Sequence, residues 1–111
     1  MKVYRGRRDP VQQTADVWID ADGHVLELNP RLNLRNHSPT GFEWGYAGSG
    51  PAQLALAICA DALEGNEGRA CHVYQQYKFR VISKLRRAGE WSIPQSDVLA
   101  MIEKIETERV A

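Results

Sequence analysis

The chain has 111 residues, 43% apolar and 25% charged, with fourteen basic and fourteen acidic side chains that cancel at neutral pH. That is long enough for one domain whose core needs no disulfide or metal staple, and the composition excludes disordered and collagen-like classes. Neutrality argues against bulk, sequence-blind nucleic-acid binding; no apolar run approaches the roughly 18 residues of a membrane span, and Met1–Pro10 lacks an apolar signal core, so a cytoplasmic protein is expected.

Met1–Gly6 reads as a short strand with Val3 and Tyr4 as its apolar residues, followed by a polar turn through Arg7, Arg8, Asp9 and Pro10. The clearest hairpin spans Ala15–Leu28. Val17 and Ile19 alternate with Asp16, Trp18 and Asp20, the turn is Asp20-Ala21-Asp22-Gly23, and Leu26 and Leu28 alternate on the return strand. Asn29-Pro30 breaks it, and Leu32 and Leu34 suggest a further alternating stretch before the turn-rich loop Asn36–Gly41.

The stretch Gly41–Leu63, GFEWGYAGSGPAQLALAICADAL, organises the rest. Phe42, Trp44 and Tyr46 alternate with Glu43, Gly45 and Ala47, as on an extended strand with one aromatic face. The corner Gly48-Ser49-Gly50 leads to Pro51, a good helix opener, and the helix that follows has only Gln53 and Asp61 as polar residues up to Leu63. Such a helix belongs in the core, with those two residues as its thin stripe toward water. Gly65 ends it. A second, amphipathic helix is predicted over Glu67–Arg87, buried through Ala70, Val73, Tyr74, Tyr77, Val81 and Leu85. Ala88-Gly89 stops it, Trp91–Ile93 forms an extended link, and a last helix starts after Pro94 with an apolar stripe of Val98, Leu99, Ile102 and Ile105, fraying from Glu106 to Ala111. Strands first and helices after predict an α+β fold: one domain, an antiparallel sheet of three or four strands, and three covering helices.

Charge is unevenly distributed. Residues 41–68 hold four acids and no base, 69–89 six bases and no acid, and 90–111 five acids against two bases. On the second helix Arg69, Gln76, Arg80 and Arg87 share a sector that suits phosphates or an acidic protein, although such a face is more often simply solvated, or neutralised by the acidic last helix. The corner Gly48, Ser49 and Gly50, with Glu43 and Trp44, is the second candidate, for a small anion or nucleotide at a helix N-terminus. Pro51 removes one donor there and no Lys follows, so tight turning and capping by Ser49 or Gly50 is the plainer account. The aromatic row is either a stacking platform or a wall of the core. Glu43, opposite that row, needs a partner, with Arg35 and His37 nearest in sequence. Hydrolysis by Ser49 or Glu43 has no assignable His/Asp pair. His24, His37, His72, Cys59 and Cys71 match no metal spacing, no cofactor is implied, and the two cysteines are expected as reduced thiols.

The block Asn36–Ala57, N-H-S-P-x-G-F-E-W-G-Y-x-G-S-G-P-A-Q-L-A-L-A, resembles that of an uncharacterised family of small bacterial and phage proteins. The likeness extends to Tyr4-Arg5-Gly6, the helix Tyr74–Leu85 and the link Trp91–Ile93. It implies no activity, cofactor or catalytic residue, and suits a non-enzymatic accessory or host-interaction protein.

Overall fold

The computed structural model describes residues 1–110 and has the expected α+β class. Strands β1 (Lys2–Arg8), β2 (Ala15–Ala21), β3 (His24–Glu27) and β4 (Glu90–Pro94) form one antiparallel sheet in the order β3-β2-β1-β4. Helices α1 (Ser49–Ala62), α2 (Glu67–Arg80) and α3 (Gln95–Val110) cover one face. The β2–β3 turn is tight because Asp22 (φ 54°) and Gly23 (φ 89°) both take positive φ, the geometry that matches strand twist in a two-residue hairpin.

Alternation decides the sheet's two faces. Tyr4 and Gly6 of β1 stand opposite Ile19 and Val17 of β2, and opposite Ile93 and Trp91 of β4, all toward the helices. Arg5, Arg7 and Trp18 face the other way. Gly6 is a close-approach glycine: a Cβ there would meet the Trp91 ring at 2.3 Å. β1 runs two residues further than the sequence suggests. Arg7 and Arg8 therefore belong to the sheet, and the turn instead follows them, where the Asp9 carboxylate accepts from the Val11 and Gln12 N–H groups.

Helix α1 is the core helix, with twelve of its fourteen residues buried, so it has no solvent face. Both expected polar residues are engaged inside the fold. Asp61 accepts from the Tyr4 hydroxyl (2.7 Å) and Lys2 (3.3 Å). Gln53 is fully buried. Its Oε1 accepts from the His37 and Ser38 N–H groups, and its Nε2 donates to the Pro30 and Arg35 carbonyls.

That arrangement explains why no strand forms around Leu32 and Leu34. Gln53 pins the backbone on both sides of that stretch, at Pro30 and from Arg35 to Ser38, Arg31 sits at φ 58°, and Leu34 and Arg35 N–H turn back on the Arg31 carbonyl. The aromatic stretch is likewise not a strand. Gly45, at φ 85°, bends it, and its N–H donates to the Ile82 carbonyl. The second helix stops at Arg80 rather than Arg87 for the complementary reason. After a 3₁₀ turn at Ile82–Lys84 the Ile82 carbonyl, which a continuing helix would give to the Arg86 N–H, accepts from the Gly45 N–H (3.0 Å). The chain beyond is held by Trp44 Nε1 at the Arg86 carbonyl (3.0 Å) and Arg8 Nε at that of Arg87 (2.8 Å). β-branched Val81 and Ile82 favour the break. Helix α3 does not fray from Glu106: it continues to Val110, held through Glu106 and Glu108, while Ala111 lies outside the described residues.

Candidate functional site

Helix α1 begins at Ser49, and its cap residue is Gly48, whose missing side chain supplies no capping acceptor. The expected cap by Ser49 or Gly50 is not made. No acidic residue lies in the first turn, and Pro51 has no N–H, so the N–H groups of Ser49 and Gly50 are donors without a partner among the described residues. The glycines serve close packing. A Cβ on Gly48 would meet the Tyr46 ring at 2.5 Å, and one on Gly50 would meet Glu43 Cβ at 2.7 Å. The chain thus lies flat on the helix start, with Glu43 and Tyr46 folded over it.

Glu43 finds its partner in Arg8, not in Arg35 or His37. The guanidinium grips both carboxylate oxygens, and the Arg8 side chain is only 9% exposed against 30% for Glu43. Arg35 instead donates to the Leu34 carbonyl, and the His37 ring bonds the Tyr74 hydroxyl at 2.7 Å. The Arg8 hydrogen bonds hold the Glu43 carboxyl below the usual carboxylate range, more than partial burial raises it, and the Trp44 N–H adds to the lowering. Glu43 therefore stays ionised at neutral pH and is not a general acid. The signal for Arg8 was present: extending the period-two pattern of Tyr4 and Gly6 puts residue 8 on the same face.

Above this pair opens a cleft of about 500 Å³, lined by Ser38, Thr40, Gly41, Phe42, Glu43, Tyr46, Ser49 and Gly50, with Ala15 at one side. It unites Glu43, Ser49 and Gly50 from the sequence candidates. Gly48 lies under Tyr46 rather than on the wall. Trp44 is not part of the cleft. Its ring is fully buried, with Arg8 over it at 4.7 Å and Trp91 edge-on at 5.6 Å, so no face is left for a ligand and the core reading of that residue holds. Phe42 and Tyr46 come from the aromatic row weighed as a stacking platform, while Ser38 and Thr40 are additions that sequence reasoning passed over; only folding of the 36–47 loop onto α1 brings the four side chains together.

The basic sector of α2 is divided. Arg69 donates to both oxygens of Glu106 (2.7 and 3.0 Å), and Arg80 pairs with Glu108, so α3 neutralises them. Gln76 is half-buried on the same helix. Arg87 lies beyond the helix, in the loop before β4, with its guanidinium 5.1 Å from the Tyr46 ring. The three arginines therefore do not form one free surface.

Among the described residues no three His, Cys, Asp or Glu side chains are grouped to hold a metal, and no helix is long and apolar enough to cross a membrane. The Ser49 hydroxyl makes no hydrogen bond to a histidine or carboxylate among them, which removes the usual way of activating a serine. Cys59 and Cys71 are free thiols, and burial pushes the Cys59 thiol up, keeping it neutral.

Residues 4–104 match the model of a family described as a family of unknown function (DUF6166). No curated protein and no solved structure matches the chain.

Proposed function

The chain belongs to that family of unknown function, and from this premise we propose that it is a small non-enzymatic binding protein that holds a small anionic ligand, phosphate-bearing or carboxylate, in the cleft at the start of α1. The carrying observation is the convergence on one cleft of a helix start with no cap and no acid, two unpartnered N–H groups, and the hydroxyls of Thr40, Tyr46 and Ser49, that of Ser38 being already donated to the Gly41 carbonyl (2.7 Å). Glu43 does not oppose an anion, because Arg8 grips it on both oxygens and the pair is neutral. A helix terminus contributes up to about 2 kcal/mol toward an anion, and with hydroxyl contacts the expected Kd is about 0.1–1 mM for phosphate alone. The resemblance to small bacterial and phage proteins supports an accessory role in such a genome, and the two free thiols support a reducing, cytoplasmic setting. Binding of an acidic partner through Arg69 and Arg80 is the weaker reading, since α3 already occupies both.

Titration with inorganic phosphate and with nucleoside phosphates, followed by backbone amide shifts, tests the proposal. Ser49 and Gly50 amides should move first. Ser49→Glu supplies the missing first-turn carboxylate, so it should abolish binding while leaving the fold intact or slightly firmer. Silence at those two amides across the panel, or unchanged binding by Ser49→Glu, rejects the cleft as an anion site.

A further inference from the structure

The bases of this protein are handled in two contrasting ways. Lys2, Arg5, Arg8, Arg31, Arg69 and Arg80 each meet a carboxylate within ion-pair distance. Lys84, Arg86 and Arg87 meet none among the described residues, as is true also of Arg7, Arg35, Lys78, Lys104 and Arg109, but these three crowd into four consecutive positions and all are exposed. Their side chains are free while their backbone is not. Gly45 N–H bonds the Ile82 carbonyl (3.0 Å), Trp44 Nε1 bonds that of Arg86 (3.0 Å), Arg8 Nε bonds that of Arg87 (2.8 Å), and Arg8 N–H bonds that of Gly89 (3.1 Å). The backbone from which these three cations extend is thus held at four carbonyls, so binding has to order their side chains but not the loop.

Tyr46 adds an aromatic surface. Its ring is 40% exposed, and Arg87 lies over it. The two carboxylates bordering the loop are placed elsewhere: Glu43 is held by Arg8, and Glu90 stands across the strand pair from Arg7. On this basis we propose that Lys84, Arg86, Arg87 and Tyr46 form a contact surface for single-stranded nucleic acid, beside the anion cleft and sharing Tyr46 with its wall. The three cations track the phosphates, and a base stacks at Tyr46 in the manner of aromatic single-strand platforms. An acidic protein fits less well. A protein interface needs an apolar core, and the aromatics here are isolated rings: Tyr46 with Arg87 above it, and Phe79, just before the loop, with Lys78 at 4.1 Å.

The geometry sets a quantitative expectation. Three phosphate contacts on a single strand give a log–log salt slope of about −2, so a tenfold rise in salt costs about 100-fold in affinity. The experiment is fluorescence polarisation of a labelled oligothymidylate across a salt series, with the matching duplex and a labelled oligoglutamate as comparators. Support is binding of the single strand at low salt with that slope, weaker binding of the duplex, and a slope shallower by about 0.7 in each of Lys84→Gln, Arg86→Gln and Arg87→Gln. Tyr46→Leu should weaken binding without changing the slope. Arg69→Gln should change neither. No binding at low salt, an unchanged slope in the three Gln variants, or oligoglutamate binding as tightly as the single strand overturns the proposal. Arg87 lies over Tyr46, a residue of the cleft wall, so Lys84→Gln and Arg86→Gln are the variants that separate the two readings: failure in these two leaves the phosphate result intact.

Discussion

Replacing Gln53 by leucine tests the structural logic of the cleft most directly. The side chain is fully buried in α1 and makes four hydrogen bonds to the backbone of residues 30–38. Leucine keeps nearly the same volume but strands two carbonyls and two N–H groups. Each lost bond costs about 1 kcal/mol when the freed group rehydrates and up to about 3 when it stays buried. Four bonds at the lower value, less about 1 kcal/mol for the added apolar burial, leave a loss of about 3 kcal/mol. For a domain of this size that lowers Tm by about 10–20 °C. The readout is chemical denaturation, which gives ΔΔG from the midpoint at unchanged slope, alongside amide exchange at His37 and Ser38. Those two amides should lose protection ahead of the α1 amides, since their acceptor is gone while α1 keeps its packing. Ser38 and Thr40 form one wall of the cleft, so phosphate binding should fall even at temperatures where the variant is fully folded. Gln53→Glu adds a pH signature. A buried carboxyl facing the Pro30 and Arg35 carbonyls has a raised folded-state pKa, so its stability contribution is greatest in acid and falls as pH rises above about 4. A Gln53→Leu protein within 1 kcal/mol of the parent by denaturation, with His37 and Ser38 amides still protected, refutes the reasoning.

Glu43→Gln removes the charge that Arg8 grips and should cost about 1–3 kcal/mol at neutral pH, measured by urea denaturation. Because the Glu43 pKa is depressed in the fold, that contribution is present above the unfolded carboxyl pKa and lost as pH falls through the folded value. The parent and variant stability curves should therefore converge in acid. Gly6→Ala drives a methyl group into the Trp91 ring at 2.3 Å and should destabilise by about 1–3 kcal/mol, with a change in tryptophan fluorescence; a thermally neutral variant contradicts the close approach. Arg69→Gln, at an exposed pair, should hardly change the melting temperature but should speed amide exchange over the last turn of α3, where Glu106 loses its anchor. Unchanged exchange there means that the pair does not hold the helix end.

What the sequence disclosed was set by how local the determining interaction is. The hairpin was legible because Asp22-Gly23 and the alternation beside it act within a few residues. The core helix was legible because its composition alone forbids exposure. The errors share one cause. The Leu32–Leu34 stretch, the aromatic row and the second half of the predicted long helix all carry plausible local patterns. Each is overruled by hydrogen bonds that the pattern does not show: Gln53 pins both flanks of the first, and the bond from the Gly45 N–H to the Ile82 carbonyl bends the second and takes the acceptor that the third would need to continue. Periodicity reports which face is apolar; it does not report where a carbonyl finds its donor. The candidate site split along the same line. Glu43, Ser49 and Gly50 were found from residue type and spacing, Tyr46 was weighed with the aromatic row, and Arg8 was legible in the alternation of β1 though read as a turn, whereas Ser38 and Thr40 enter only through the folding of the loop.

The residues from Asn29 to Gly48 belong to no helix or strand, yet Trp44 and Gln53, at either side of the corner, are completely enclosed. A long irregular segment against a core leaves backbone polar groups that sheet ladders would otherwise satisfy. Here a few side chains satisfy them instead. Gln53 does so for residues 30–38, and Trp44 and Arg8 do so for the loop after α2. Arg8 carries the heaviest share, since one guanidinium binds Glu43, covers Trp44 and donates to the Arg87 carbonyl. The anion cleft and the basic loop are thus built from opposite sides of the same residue. Side-chain hydrogen bonds of fixed geometry hold both as firmly as a helix or strand would, which is the condition for presenting polar groups to a ligand without a large ordering cost. Irregular backbone in this protein therefore carries both proposed binding surfaces, with the sheet and α1 supplying the side chains that keep it in shape.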